Sequence, residues 1–328
     1  MARSAAGGKP AQGEARPAIW DSDDTPAQGN GSPAVWVGQT KQVSYWQDVW
    51  RRFRRQKAAL VALGFMLLII ATCLAAPWTA PHSYDEQFRD IGLTAGGKPV
   101  APNAKFILGT DALGRDLFSR VLWGGRISLA VGFSASLIAS LVGLVVGGLS
   151  GFAGGATDFG LMRLVDLVQS VPQFLLMLML VVVFKPGIGV VVFVISLFAW
   201  TTPSRVFRSQ VVSIKQQDYI LAARAVGVPT WRIFLLHVLP HLLPLLIVYI
   251  TLSIPTTIFA ETGLSFIGLG VPPPRPSWGS IMQGGIAFYR VAPWISMSPG
   301  IAIMVTIISL RLVGDTLREV LDPTRRGK

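Results

Sequence analysis

Few residues in this sequence have the types and spacing that chemistry requires, and the clearest pair is His237 and His241. They stand four apart, so a helix would place both imidazoles on one face, where they could hold one ligand. Two histidines alone are a weak metal-site pattern, and we expect no metal on this chain. Arg163 and Asp166 stand three apart beside an apolar run. They could form a proton relay, but a satisfied ion pair at the membrane edge is the simpler interpretation.

Nucleotide chemistry is the next possibility, because Gly-Gly-Lys-Pro occurs at 7–10 and again at 96–99. A P-loop needs G-x-x-x-x-G-K-[ST] between a strand and a helix, since its backbone amides surround the phosphates. Both runs lack the spacing and the hydroxyl, so we interpret them as turns. No nucleophile elbow, H-E-x-x-H motif or carboxylate pair stands out, and we predict no catalytic residue. The single Cys73 can form no internal disulfide.

The composition is that of a membrane protein rather than a soluble domain. Of the 328 residues, 51% are hydrophobic and 14% are charged, a balance that favours a chain crossing the membrane several times. The net charge of +12 could indicate nucleic acid. Many basic residues, however, stand beside apolar runs, where they hold a membrane protein in orientation. We therefore predict contact with membrane lipid and no nucleic-acid partner.

Three regions follow from the distribution of apolar residues. Residues 1–44 have no sustained apolar period and are predicted to be a disordered cytoplasmic tail. Residues 45–57 are basic and amphipathic, which predicts a helix lying on the cytoplasmic surface. Residues 58–328 are predicted to form an all-α domain of six transmembrane helices with both chain termini cytoplasmic. The predicted spans are 58–78, 127–150, 161–184, 190–207, 241–261 and 295–310, the last extended to about 313.

Some residues inside these spans predict how the helices pack. Gly143, Gly147 and Gly151 repeat every four residues, which lets a second helix approach closely. Pro172 and Pro203 interrupt the third and fourth spans, because proline lacks the N–H that a helix interior needs. Bends are therefore expected at both places.

The two longer stretches between spans, 79–126 and 262–294, are predicted to lie outside the cell. In the first, Asp111 with Arg115 and Asp116 with Arg120 stand four apart, so helical ion pairs are expected. This stretch could cover a path through the membrane or contact another protein. A packed collar with capped turns is the favoured interpretation.

The stretch from Asp218 to Pro240 carries two helix signals between apolar runs. Asp218 is expected to cap the first helix, Gly227 to end it and Thr230 to cap the second. A helix with a small Ala222-Ala223 face, a glycine break and a second helix make a compact docking element. An ordinary helix-turn-helix connector is the alternative.

This stretch resembles the coupling loop of ABC-transporter permease subunits, whose signature reads E-A-A, three residues, G, nine residues, I, one residue, L-P. Ala222, Ala223, Gly227 and Leu239-Pro240 match, with the spacing from the glycine preserved. Leu221 stands where the family most often has Glu, and His237 stands where it has Ile. The usual acidic contact is therefore absent at position 221.

Three further stretches, 108–129, 261–278 and 313–323, resemble the C-type permease subunit of dipeptide and oligopeptide importers, and together these matches cover about 45–323. The resemblance implies a type I importer permease fold with a coupling loop at 208–240. It also implies a B-type permease partner, two ATPase subunits that carry ATP and magnesium, and an extracytoplasmic substrate-binding protein. The residues it assigns to ATPase coupling are Ala222, Ala223, Arg224, Gly227, Leu239 and Pro240.

The resemblance leaves the cargo open, because nickel chelates, sugars or glutathione could travel through the same machine. It also leaves the cargo-binding residues unknown. An autonomous channel or an intramembrane enzyme is the alternative from another class. A channel should show a polar series along a pore and an enzyme should show paired catalytic groups within spans, and neither is evident.

Overall fold

The computed structural model describes residues 45–185 and 187–321, and helices are the regular elements of that part of the chain. The predicted all-α class is thus confirmed. Two isolated β-bridges are the sole strand-like pairings in these ranges. The predicted tail, 1–44, lies outside the described residues, as does the end of the chain from 322 onward.

The described helices are α1 Tyr45–Phe53, α2 Lys57–Leu74, α3 Ala76–Thr79, α4 Leu117–Ala153, α5 Gly155–Ser170, α6 Gln173–Phe184, α7 Ile188–Ala199, α8 Thr201–Lys215, α9 Asp218–Ala225, α10 Thr230–Ile233, α11 Leu239–Phe266, α12 Trp278–Gly285 and α13 Trp294–Leu321. A π-helical turn, Phe234–Val238, joins α10 to α11, and a 3₁₀ turn, Ile286–Phe288, follows α12. The surface helix expected over 45–57 ends at Phe53, and the first span already begins at Lys57.

Among the described residues, four helical elements are long and apolar enough to cross a membrane: α2, α4, α13 and the continuous run from α10 to the end of α11. Two bent pairs bring the number to six if each pair is one span, which matches the expected count. The α5–α6 pair bends by 84° and the α7–α8 pair by 42°. Pro172 lies in the first break, as expected. The second break falls at Trp200, so that Pro203 occupies the first turn of α8, where its missing N–H costs nothing.

Helix α4 begins at Leu117, ten residues before the predicted start of the second span at 127. Asp116 starts it, because its carboxylate accepts a 3.1 Å hydrogen bond from the Ser119 N–H. The predicted start is ten residues too late, because the span was placed at the apolar run that follows Arg126, whereas the helix also includes the preceding polar and basic residues. Part of the stretch expected outside, 79–126, is therefore the first section of a 37-residue helix.

Of the two ion pairs expected in that stretch, one is present and the other is not. Arg115 Nη2 lies 2.7 Å from Asp111 Oδ2, so the predicted pair is present, but in a turn before α4 rather than on a helix. The Asp116–Arg120 pair is wrong, since Asp116 caps α4 and Arg120 turns away from it. Arg120 Nε lies 3.2 Å from Asp111 Oδ2, and its Nη1 donates to the Tyr84 carbonyl at 2.9 Å. One carboxylate thus holds two arginines, which ties the stretch to the start of α4.

Helices α4 and α8 pack closely along the three glycines, as their spacing predicted. A Cβ added at Gly143 would lie 2.9 Å from Pro203, and one at Gly151 would lie 2.7 Å from the Arg208 carbonyl oxygen. A Cβ at Gly147 would meet the Ser204 carbonyl oxygen directly. The two backbones are therefore in contact, which a larger residue at these positions would prevent.

A buried carboxylate joins α4, α11 and the segment before α12. Glu261 is fully buried, and its oxygens accept from Ser128 Oγ at 2.8 Å and Ser265 Oγ at 2.7 Å. The Trp278 N–H donates to the same Ser128 hydroxyl at 3.2 Å. Because these partners come from three parts of the fold, Glu261 holds the 267–278 segment against the helices.

Replacing this carboxylate should loosen the outer end of the fold. We expect Glu261→Ala to lower the free energy of unfolding by about 1–3 kcal/mol, since two buried hydroxyls lose their acceptor. The measurement is the melting temperature of the purified protein in detergent. Glu86→Ala is the matched control, because Glu86 is exposed and its loss should leave the melting temperature unchanged. Equal melting temperatures for both variants would contradict a structural role of Glu261.

Candidate coupling site

The 218–240 segment forms two short helices joined by a left-handed turn. Gly227 has φ of +82°, a conformation that glycine adopts without strain, and it follows the last turn of α9 as predicted. The two predicted caps are wrong. Gln217 precedes α9 and Asp218 is its first residue, while Pro229 precedes α10, and neither helix has a side-chain cap. Pro229 is extended, with ψ of 137°, so the second helix can begin only at the next residue.

This helix pair is fixed to the membrane helices by one apolar cluster. From the segment, Ile220, Ile233 and Val238 are almost completely buried. They pack with Phe207 from α8, Leu242 from α11 and further apolar residues of α4, α8 and α11. A displacement of α9 must therefore move α8 and α11 as well, since close-packed side chains transmit strain.

Polar contacts attach the same region to α4 and α5. Arg208 forms two parallel 2.5 Å hydrogen bonds with Asp158, which Ser150 also contacts. Lys215 Nζ donates to the carbonyls of Gly151 and Phe152 at 3.1 and 2.8 Å, at the end of α4 where carbonyls lack helical partners. The bidentate Arg208–Asp158 pair and the two Lys215 hydrogen bonds hold α4, α5 and α8 together next to the 218–240 segment.

The outward side of the helix pair carries exposed apolar side chains beside the charged Arg224 and Arg232, and we call three of these apolar residues the apolar patch. Val226 is 84% exposed, Trp231 61% and Leu221 50%. Sequence reasoning missed all three, although apolar residues in a segment expected to be solvated were a usable signal. Large exposed apolar side chains are one feature by which protein contact surfaces are recognised.

The residues expected to contact an ATPase divide between the two faces. Ala222, Arg224 and Gly227 are exposed beside the apolar patch, whereas Ala223 is half-buried against the apolar cluster. The Arg224 guanidinium lies 6.0 Å from the centre of the Phe152 ring. These four residues therefore lie together on α9 and the turn that follows it.

Leu239 and Pro240 lie apart from that face, at the start of α11. Leu239 is half-buried in the cluster and its N–H bonds the Phe234 carbonyl across the π-helical turn. Pro240 is exposed and cannot donate a backbone hydrogen bond.

The histidine pair shows no arrangement for a metal. His241 Nδ1 lies 2.7 Å from the His237 carbonyl oxygen, and both rings lie near Tyr219, at 6.1 and 6.4 Å between centroids. Within residues 45–185 and 187–321, no three His, Cys, Asp or Glu side chains converge.

The expected Arg163–Asp166 pair is present at 3.7 Å, and Arg205 binds the same carboxylate at 2.6 Å.

The described part of the chain is helical and contains several membrane-crossing helices. A helix pair with exposed apolar residues is anchored between two of them. This architecture is typical of a transport permease. Two family models agree. The model for "Binding-protein-dependent transport system inner membrane component" matches residues 117–327, and the "N-terminal TM domain of oligopeptide transport permease C" matches residues 44–95. The chain belongs to the family of binding-protein-dependent transport system inner membrane components. It is a multi-pass membrane protein and a transport subunit rather than an enzyme.

Similar proteins extend over nearly the whole chain. The oligopeptide transport system permease protein OppC of Bacillus subtilis is 37% identical over 286 residues, 87% of this chain and 92% of the relative. The di/tripeptide transport system permease protein DppC of Pseudomonas aeruginosa is 38% identical, over 84% of this chain and 91% of its own. The glutathione transport system permease protein GsiD of Escherichia coli is 36% identical, over 86% and 91%.

Among solved structures, the chain resembles the MetNI methionine ABC transporter in an inward-facing conformation, with a TM-score of 0.52 and 18% identity. The match covers 62% of this chain and 97% of that one. At this identity the likeness concerns the fold alone. The type I ABC importer permease fold expected from the sequence is therefore confirmed.

Proposed function

We propose that this chain is one of two permease subunits of an ATP-driven importer of short peptides. The observation that carries the cargo assignment is the 36–38% identity to oligopeptide, dipeptide and di/tripeptide permeases over most of the chain. In this proposal the second permease is of the B type, and two ATPase subunits bind ATP and magnesium. An extracytoplasmic binding protein delivers the peptide.

Both chain termini lie in the cytoplasm in this proposal. Four arginines between Arg51 and Arg55 precede the first span, which begins at Lys57, and basic residues before a span favour its cytoplasmic side. Arg224 and Arg232 add positive charge to the 218–240 segment, as expected for the same side. Residues 1–44 are then a cytoplasmic tail, 45–57 a surface helix and 58–328 the permease domain.

The 208–240 region is the coupling loop in this proposal. Ala222, Ala223, Arg224 and Gly227 contact the ATPase together with the apolar patch, while Leu239 and Pro240 set the re-entry into the membrane. When ATP closes the ATPase pair, α9 moves and the buried cluster carries this motion to α8 and α11. The permease then changes between inward-open and outward-open states. ATP shifts the equilibrium between these states and makes no contact with the cargo.

Uptake by the complete importer tests this function. Proteoliposomes are prepared with both permeases and both ATPases, and the binding protein and the labelled peptide are added outside. They should accumulate dipeptides and tripeptides only when ATP is enclosed in the vesicle lumen. Glutathione, a sugar and a nickel chelate represent the alternative cargoes, and their uptake is compared with that of the peptides. Uptake of one of these in preference to every peptide would contradict the peptide assignment, and ATP-independent flux through the purified chain would favour a channel.

A further inference from the structure

We infer that a cavity between α6, α7, α8 and α11 is a cargo-contact site that binds a short peptide through its backbone amides, an inference that rests on the proposed peptide import. The cavity has a volume of about 670 Å³. Its wall includes Gln173, Thr202, Ser253 and Thr256. Binding cavities for small ligands typically measure about 300–1,000 Å³, so the space suits a ligand of dipeptide or tripeptide size.

Both helix breaks of the membrane domain lie at this cavity. Gln173 is the first residue after the 84° bend between α5 and α6, and Thr202 is the second residue after the 42° bend between α7 and α8. Interrupted backbone persists at membrane depth where it is buried in protein or lines a cavity. In secondary transporters, interrupted helices commonly surround the cargo site, and the two breaks at this cavity are a comparable arrangement.

The wall of the cavity is uncharged, since its described residues include no Asp, Glu, Lys, Arg or His. Its polar groups are hydroxyls and one carboxamide, and Phe174 and Phe259 supply apolar surface. Thr256 donates its hydroxyl proton to the Ser253 carbonyl at 2.7 Å, which leaves its oxygen free to accept. Gln173 can both donate and accept. Such a wall recognises the amide groups that every peptide shares and discriminates little between side-chain charges.

Cysteine protection tests the cavity in the complete, reconstituted importer. In a Cys73→Ala background, which removes the sole cysteine of the sequence, Ser253→Cys and Thr256→Cys place a thiol on the wall. Ile247→Cys is the matched control, because Ile247 is on the same helix, is 42% exposed and is not part of the wall. A small neutral maleimide is the label, trialanine is the peptide, and peptide uptake is recorded on the same vesicles.

We expect trialanine, at about ten times its half-saturating concentration, to slow labelling of the two wall thiols about tenfold and to leave Ile247→Cys unchanged. Equal labelling with and without peptide, in vesicles that import trialanine, would overturn the cavity inference while leaving the proposed function intact. Wall thiols that do not react with the maleimide even before peptide is added would also overturn the cavity inference, since a lipid tail or the partner permease would then fill the cavity. Absence of uptake for every peptide would remove the proposed function itself, and the peptide site with it.

Discussion

The Gly227→Asp variant is expected to reach the membrane and assemble, yet to lose ATP-driven uptake. Nothing lies within 4 Å of a Cβ built at Gly227, so the fold has space for the side chain. Its φ of +82° adds a backbone cost of about 1–2 kcal/mol for any residue other than glycine. The larger effect is a carboxylate placed beside the exposed Val226, on the surface proposed to enter the ATPase.

An unpaired charge buried in an interface costs about 2–5 kcal/mol, and each 1.4 kcal/mol is a factor of about ten in affinity. We therefore expect uptake to fall by more than about tenfold, with ATP hydrolysis no longer stimulated by the loaded binding protein. The measurements are peptide uptake and ATPase activity of the reconstituted importer.

Gly97→Asp is a closely matched control. Gly97 also has a left-handed φ, +69°, with nothing within 4 Å of an added Cβ. It lies in the 79–116 stretch, which the proposed topology places on the other side of the membrane. Its variant should carry the same backbone cost and keep uptake coupled to ATP hydrolysis. Normal uptake by Gly227→Asp, or an equal loss in both variants, would count against the 218–240 segment as the coupling element.

The second large effect is expected for Gly147→Leu, which should strongly destabilise the fold. An added Cβ would meet the Ser204 carbonyl oxygen and would lie 2.9 Å from the Arg208 backbone nitrogen. Backbone atoms cannot rotate away, so α4 and α8 must separate along their contact. We expect a loss of about 3 kcal/mol or more in the free energy of unfolding, the upper end of the range for overpacked cores.

The control for this variant is Gly64→Leu in α2. Gly64 is also a helical glycine of a membrane-crossing element, but nothing lies within 4 Å of a Cβ built there. Size-exclusion profiles after heating in detergent compare the two. Gly64→Leu should elute as the wild type does, while Gly147→Leu should aggregate at a lower temperature. Similar profiles for both would show that α4 and α8 are not in backbone contact.

The sequence alone determined the features that depend on local spacing. The glycines at 143, 147 and 151 predicted a close approach of a second helix, because residues four apart share one helix face, and the structure identifies that helix as α8. Pro172 predicted the break before α6, since a proline in a helix interior removes a backbone hydrogen bond. The segment 218–240 was likewise identified from a motif of fixed spacing, and its glycine has the left-handed conformation that the motif requires.

Tertiary contacts decided what such spacing cannot show. Asp116 could pair with Arg120 or cap a helix, and only the position of Asp111 beside Arg120 settles the choice. The exposure of Val226 and Trp231 depends on Ile220 and Ile233 filling the buried cluster on the opposite face. The cavity forms because two breaks that are far apart in the chain meet beside α11. Long-range packing sets each of these outcomes, and a linear sequence carries no direct record of which distant residues will meet.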